Sequence, residues 1–353
     1  MNQRPHMEHA FPFPRDNLSC GGTSMNDSAR FHTQQIPSLV LSMSAPIMFS
    51  LLIQALYNIV DSICVSSYSQ YGLPALSLAF PLQLILTAVG NGTGIGAGIL
   101  ISRASGQKQF SSLPVLTANG LSGAVLDWVL VCAGMLPFLS VYYQVFSSTP
   151  QVVLMGTQYC QIVIFGSCFQ FIESVCTRIT QAHGCTFIPM MYQGLGALIN
   201  MILDPLLVFG LGPFPSLGIP GAAIATVLGQ CCAMVCALFT MLAQKHLVPP
   251  GLHIRTLLSI YRAGLPTMLT SALVSAYITG LNGVLATFSE DAVTSLGIYY
   301  KIQTFLLIPS YGLEQGTLPV LSYNIGAGDR RRGEAPLLHG KALPGAGALP
   351  GGE

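Results

Sequence analysis

Two aspartates, Asp61 and Asp204, stand in segments that are otherwise almost wholly apolar. Residues three or four apart share one face of a helix, so Asp61 would share a face with Gln54 and Tyr57. The second segment places four residues on one face in the same way: Gln193, Gly196, Asn200 and Asp204. Two carboxylates removed from water, among amide and hydroxyl oxygens, would form either a proton-loading site or an oxygen-rich Na+ site. Such a site changes its occupancy with pH or with an ion gradient, as coupled transport requires.

Each polar stripe has a proline close to it. Pro46 lies a few turns before Asp61, and Pro205 follows Asp204 directly. A proline removes a backbone hydrogen bond and bends a helix, so we interpret Pro46 as the bend through which the charge state of Asp61 could move its helix. The alternative role for either aspartate is structural, as a hydrogen-bond partner of a neighbouring helix.

Other charged residues also lie in apolar segments. For Asp127 and Glu173 we favour structural pairing or a position at the membrane interface, because few polar residues share their helix faces and Arg178 follows Glu173 by five residues. Lys301 and Glu314 are thirteen residues apart, too far to pair along one helix. We weigh a second-lobe site equally with a structural role for this pair.

The elements that carry these residues are predicted to be membrane helices. Hydrophobic residues make up 51% of the 353 residues and charged residues only 8%, against about 25% charged in soluble domains, and mean hydropathy is +0.60. About 20 apolar residues span a bilayer as a helix. Eight such stretches occur, and they predict an all-α polytopic bundle: 37–67, 73–101, 113–141, 151–177, 187–210, 218–243, 257–288 and 292–323.

The distribution of basic residues predicts the orientation. Thirteen of the fourteen Lys and Arg residues fall on one side of the predicted spans, and only Lys301 lies within a span. Cytoplasmic loops carry the excess of Lys and Arg, so both termini are expected to be cytoplasmic. The glycine-rich run at 90–98 has small-residue spacing for close helix contact rather than a phosphate loop, and no nucleotide or other cofactor is expected.

The chain contains an internal repeat. A shift of 220 residues aligns Pro46 with Pro266, Gly92 with Gly312 and Gly106 with Gly326, which indicates a parallel repeat of six-span units. The predicted organisation is a disordered cytoplasmic arm, a complete first lobe of six spans, a partial second lobe of two spans, and a disordered tail: 1–35, 36–246, 247–328 and 329–353. We expect the tail to come from a frameshift or a fragmentary gene, with an eight-span variant as the alternative. The true start is Met1 or Met25.

From about residue 36 to 328, the order and spacing of several segments resemble the multidrug and toxic compound extrusion (MATE) transporters, in the prokaryotic efflux-pump branch. The segments include "LYNIVDSICV", "GALINMILDPLLVFG", "GIPGAAIATVLGQ" and "IPSYGLEQGTLPVLSYNIGAG". The resemblance implies twelve helices in two six-helix lobes around a central cavity. It also implies export of cationic or amphipathic organic compounds in exchange for H+ or Na+.

The resemblance also implies roles for individual residues. Asp61 matches the acid of the family's first helix, with Tyr57, Gln54 and the bending proline Pro46 beside it. Asn200 and Asp204 match the Asn-x-x-x-Asp of the fifth helix. Thr226 corresponds to a hydroxyl of the same cation site. Without spans nine to twelve, the chain is expected to be either an inactive fragment or an exporter with a reduced second lobe.

Two other classes of function are possible. A lipid-linked oligosaccharide flippase of the same superfamily should line its first lobe with several Arg or Lys residues for pyrophosphate, and the predicted spans one to six contain none. A membrane enzyme or receptor should show a nucleophile and a base, or a soluble domain. The expected partners are small-molecule drugs, organic cations and membrane lipids, without nucleic acid, for a monomer in the inner (cytoplasmic) membrane.

Overall fold

A computed structural model of the chain describes residues 31, 34–244, 246 and 251–329. The predicted arm at 1–35 and the predicted tail at 329–353 lie almost wholly outside these residues. Within the described ranges the regular secondary structure is entirely helical, as the all-α prediction requires. The nine α-helices are α1 Ile36–Tyr68, α2 Gly72–Gly106, α3 Leu113–Met135, α4 Leu139–Phe146, α5 Pro150–Ala182, α6 Phe187–Phe209, α7 Ile219–Ala243, α8 Ile254–Ala286 and α9 Glu290–Gly326.

These helices account for all eight predicted spans. Seven segments in the described ranges are long and apolar enough to cross a membrane, namely α1, α2, the segment Phe110–Phe146, and α5 to α8. Helix α9 has 37 residues, which also suffices to cross, although its charged residues make it less apolar. The protein is therefore a multi-pass membrane protein.

The third span differs from the single stretch predicted at 113–141. Helix α3 ends at Met135, a 3-10 turn covers Leu136–Phe138, and α4 continues to Phe146. The turn contains Pro137, which has no backbone N–H to continue the α-helical ladder. Pro46 and Pro205, by contrast, lie inside continuous helices α1 and α6.

Helix α2 occupies the centre of the bundle. It packs against α5, α8 and α9, while α9 also packs along α1 and α6 packs against α1 and α7. The main buried core lies around α2 and α5, with Phe171, Val175 and Ile179 of α5 fully buried. This arrangement puts the polar faces of α1, α5, α6 and α9 around one space.

The contacts between the two copies of the repeat follow the predicted offset of 220 residues. A Cβ at Gly106 would overlap the carbonyl oxygen of Tyr323, and a Cβ at Gly326 would overlap that of Arg103. The same reciprocity relates Gly92, which contacts Met268, to Gly312, which contacts Met48. Only glycine permits such close approach of helix backbones, so the glycines determine where α2 and α9 cross.

Candidate functional site

A cavity of about 360 Å³, here called the central cavity, lies between the helices of the two copies. Its walls come from α1, α2, α5, α6, α7 and α9, and they combine aromatic rings, including Tyr57, Phe80 and Tyr159, with many amides. Seven glutamines line it: Gln54, Gln83, Gln170, Gln181, Gln193, Gln230 and Gln315. Aromatic faces provide apolar contact area, and flexible amides provide adaptable hydrogen bonds. Such walls suit organic molecules of varied shape.

The two polar stripes predicted from the sequence meet at this cavity. Gln54, Tyr57 and Asp61 of α1 line it, as do Gln193 and Asn200 of α6 and Thr226 of α7. Asp204 lies behind the wall and is completely buried. Helical periodicity keeps each stripe on one face, and the packing of α1 against α6 brings the two stripes together.

The acceptor oxygens of these residues lack donors. Asn200 donates its amide hydrogen to Thr226 Oγ1 at 3.2 Å, and Thr226 donates to the Ala222 carbonyl at 3.1 Å. Four buried oxygens then have no hydrogen-bond partner among the described residues: Asp61 Oδ1, Asn200 Oδ1, and Asp204 Oδ1 and Oδ2. Leaving a buried acceptor without a partner costs about 1 to 3 kcal/mol, and more for a charged group. We call this set, with Thr226, the oxygen cluster.

The charges within the oxygen cluster favour uptake of a positive charge. The Asp61 and Asp204 carboxylates repel each other, and both are shielded from water. Two carboxylates in one dry site are not both stable as anions unless a proton or a cation joins them. The residue types and their exposure, 5% for Asp61 and 2% for Asn200, fit a proton or a hard cation that prefers oxygen ligands.

The candidate second-lobe pair, Lys301 and Glu314, does not form a site of its own. Lys301 donates a hydrogen bond to Ser62 Oγ and attracts the Asp61 carboxylate. Glu314 instead interacts electrostatically with Arg178. The physical reason is that α9 packs along α1 and α2, which directs its charged residues towards the first copy.

The position predicted for Arg178 was wrong, whereas Glu173 lies within the fourth span as predicted. Helix α5 continues to Ala182, so Arg178 lies within a span rather than in a loop after it, and both residues line the central cavity. Glu173 accepts hydrogen bonds from Thr177 at 2.6 Å and Gln193 at 3.0 Å. Arg178 is 8% exposed and donates to Gln181 at 3.1 Å. The prediction that spans one to six contain no Arg or Lys is therefore wrong as well, because Arg178 lies within α5.

The predicted fourth span ends at residue 177, so the sequence did not indicate that Glu173 and Arg178 line the cavity. The signal that was available is the polar run Glu173, Thr177 and Gln181, which recurs every four residues and marks one helix face. That face continues the cavity wall by a full turn beyond the predicted end.

The structural role favoured for Asp127 agrees with the contacts. Its carboxylate accepts hydrogen bonds from Thr93 Oγ1 at 2.5 Å and from the Tyr261 hydroxyl at 2.7 Å. These three residues belong to α3, α2 and α8, so the carboxylate joins the first copy of the repeat to the second. Asp127 does not line the central cavity.

Comparison with known proteins identifies a matching family model and similar transporters. Residues 46–206 match the MatE family model. The chain is 24% identical over 315 residues to the multidrug export protein MepA of Staphylococcus aureus, covering 87% of this chain and 69% of that protein. It is 25% identical over 326 residues to an FAD transporter of Shewanella oneidensis, covering 89% and 71%.

Solved structures show the same fold. An outward-facing multidrug resistance MATE family transporter of the MOP superfamily superposes with a TM-score of 0.80 at 22% identity, covering 88% of this chain and 70% of that chain. A MOP superfamily transporter from Pyrococcus furiosus gives a TM-score of 0.79 at 23% identity, with the same coverage.

Proposed function

Because this chain belongs to the MATE family, we propose that it exports cationic or amphipathic organic compounds through the central cavity in exchange for H+ or Na+. The observation that carries the proposal is the oxygen cluster, where four buried acceptor oxygens without hydrogen-bond partners in the described part of the chain adjoin a cavity large enough for an organic molecule. A proton or Na+ would bind there with Asp61, Asn200, Asp204 and Thr226 as its ligands.

The charge of the cavity region supports a cationic substrate. Two acids and two bases line the cavity: Asp61, Glu173, Arg178 and Lys301. Two further acids, Asp204 and Glu314, interact with Asp61 and Arg178 respectively. With every group ionised the region carries a net negative charge, which attracts organic cations, while the aromatic walls contribute cation–π contacts.

Coupling follows from competition for Asp61. A proton or Na+ arriving at the oxygen cluster neutralises the carboxylate that attracts the organic cation, so ion uptake weakens substrate binding and favours its release. Pro46 interrupts the backbone hydrogen bonds of α1. It lies between the part of α1 that lines the cavity and the N-terminal end of the helix, which is predicted to be cytoplasmic. In this proposal α1 bends there when the charge at Asp61 changes.

The membrane and the orientation belong to the same proposal. The concentration of Lys and Arg on one side favours a cytoplasmic position for both termini. The contact of α2 with α9 at Gly106 and Gly326 would then lie on the cytoplasmic side. We assign the protein to the cytoplasmic (inner) membrane, as a monomer surrounded by lipid.

The experiment that tests the function is efflux of the fluorescent organic cation ethidium from proteoliposomes containing the 353-residue chain. An imposed proton or Na+ gradient should drive ethidium movement, and Asp61→Asn should abolish it because an amide cannot exchange a proton or hold a cation by charge. The matched control is Asp291→Asn, since Asp291 is an exposed carboxylate on α9 outside the cavity. Equal rates for wild type and Asp61→Asn would contradict the proposal.

A second candidate is favoured by one observation. Arg178 and Lys301 both line the cavity, and two basic groups could bind the phosphate groups of an anionic substrate, as the relative named an FAD transporter suggests. A lipid-linked oligosaccharide flippase remains the weaker reading, because the first copy supplies one basic residue to the cavity rather than several. Competition of ethidium efflux by FAD separates these substrates from organic cations.

A further inference from the structure

We propose that Lys301 is a tethered counter-cation of Asp61, which an incoming cation has to displace, and that it thereby determines which cations this carboxylate accepts. This inference deepens the proposed function and rests on Asp61 being the exchange site. It assigns Lys301 a role as a specificity-determining residue contributed by the second copy of the repeat to the ion site of the first.

The contacts hold the ammonium group at Ser62, next in the chain to the carboxylate of Asp61. Lys301 Nζ donates to Ser62 Oγ, whose own hydroxyl donates to the Asn58 carbonyl at 2.6 Å. The Ser62 oxygen is therefore free to act as the acceptor for a charged lysine. Ser62 is the residue after Asp61 on α1, and the lysine and the aspartate attract each other.

Among the residues that the structure describes, Asp61 is the charged group that interacts with Lys301. Among the helices that pack against α9, helix α1 has Asp61 as its one charged residue. The charged residues of the other two helices lie near helix ends: Arg103 near the C-terminal end of α2, and Arg255 and Arg262 near the N-terminal end of α8. Glu314, on α9 itself, interacts with Arg178 instead. Asp61 still has one oxygen without a hydrogen-bond partner within the described ranges, so the attraction holds the lysine near without satisfying the carboxylate.

This arrangement is suited to displacement. An ammonium group held by Ser62 neutralises Asp61 in the absence of a ligand and avoids an unpaired buried charge. A proton adds to the free Asp61 oxygen and removes the attraction directly, whereas Na+ or an organic cation must also overcome repulsion by the ammonium group. Lys301 therefore disfavours Na+ relative to H+ at Asp61.

Binding of radioactive Na+ to the purified full chain, measured by scintillation proximity in KCl buffer, tests this directly. Lys301→Gln should bind Na+ about tenfold or more tightly than wild type, since close charge pairs are typically coupled by at least that factor. Lys301→Arg keeps the charge and should stay near wild type. The control Lys108→Gln, in the connection after α2, should leave the affinity unchanged.

The double variant Asp61→Asn/Lys301→Gln decides whether the gain acts through Asp61. We expect the double variant to bind Na+ no better than Asp61→Asn alone. An unchanged affinity in Lys301→Gln, or an equal gain with and without Asp61, would overturn the inference. Binding needs no completed transport cycle, so a chain that fails in the ethidium assay can still show or lack this effect.

A measurement on the wild-type chain tests the inference without depending on whether a variant folds. Freshly added acetic anhydride should acetylate Lys301 faster in NaCl than in KCl, and mass spectrometry of the Lys301 peptide gives the rate. Displacement of the ammonium group into the cavity is the reason for the increase. A rate that is equal in both salts, or lower in Na+, would contradict displacement even if ethidium efflux is normal.

Discussion

Replacing Gly229 with alanine should damage the oxygen cluster without changing any of its polar side chains. Gly229 of α7 lies against Gly196 of α6, and each is close to the carbonyl oxygen of the other. A Cβ at Gly229 would lie 2.6 Å from the Gly196 oxygen and 3.1 Å from Asn200 Cβ, whereas ordinary contacts begin at 3.4 Å. The two helices would have to separate by about 0.8 Å to relieve the closer contact.

That separation is large enough to break the bond that orients the cluster. Asn200 Nδ2 donates to Thr226 Oγ1 at 3.2 Å, and adding the separation takes the two atoms to about 4 Å, beyond hydrogen-bond range. Overpacking of this kind costs about 1 to 3 kcal/mol. The helix propensity gained by replacing glycine with alanine, about 1 kcal/mol, offsets only part of this cost.

The matched control is Gly194→Ala, two residues from Gly196 on the same helix. Its nearest neighbour would be Ile53 Cδ1 at 3.5 Å, an ordinary contact, so this variant should keep the gain in helix propensity. Thermal unfolding of the purified protein in detergent should therefore give a lower midpoint for Gly229→Ala and an equal or higher one for Gly194→Ala. Na+ affinity should fall only in Gly229→Ala.

Two results would refute the reasoning. If Gly229→Ala melts at or above the wild-type temperature, then α6 and α7 are not as close as the structure shows. If both variants lose stability equally, the loss comes from substituting helical glycines in general and not from the contact between the two helices.

Two further predictions concern contacts away from the oxygen cluster. Tyr261→Phe removes a hydrogen bond to the Asp127 carboxylate and should destabilise the protein by about 1.5 to 3 kcal/mol, whereas the exposed Tyr299→Phe should have no effect; equal melting temperatures would contradict a role for this bond. Burial and the stacked His183 ring lower the pKa of His246 to about 4, so stability should be complete above about pH 6.5 and decline towards pH 4, because the unfolded chain then binds the proton more tightly. His246→Gln should flatten that decline in melts recorded across this range, and an unchanged pH dependence would contradict it.

Much of the fold was predictable because each membrane helix has a local signature in the sequence. A run of about 20 apolar residues satisfies its own backbone only as a helix, so all eight spans and both helical polar stripes could be read from composition and period. The offset of 220 residues likewise survived as spacing of prolines and glycines, and the reciprocal contacts of Gly106 and Gly326 follow it. The exact ends of helices were not predictable. The fourth span was predicted to end at residue 177, and this placed Arg178 outside the membrane.

The sequence by itself determined that Asp61 and Asp204 are intramembrane carboxylates, each with polar residues on its own helix face, because helical periodicity is a local property. It could not decide which helices bring these faces together or which charges lie opposite them. Only the tertiary structure put Lys301 beside Asp61 and Arg178 beside Glu314. The physical reason is that charge pairing between α9 and the first copy depends on where glycine contacts let distant helices cross. Local helical periodicity does not record a contact between residues more than 100 positions apart.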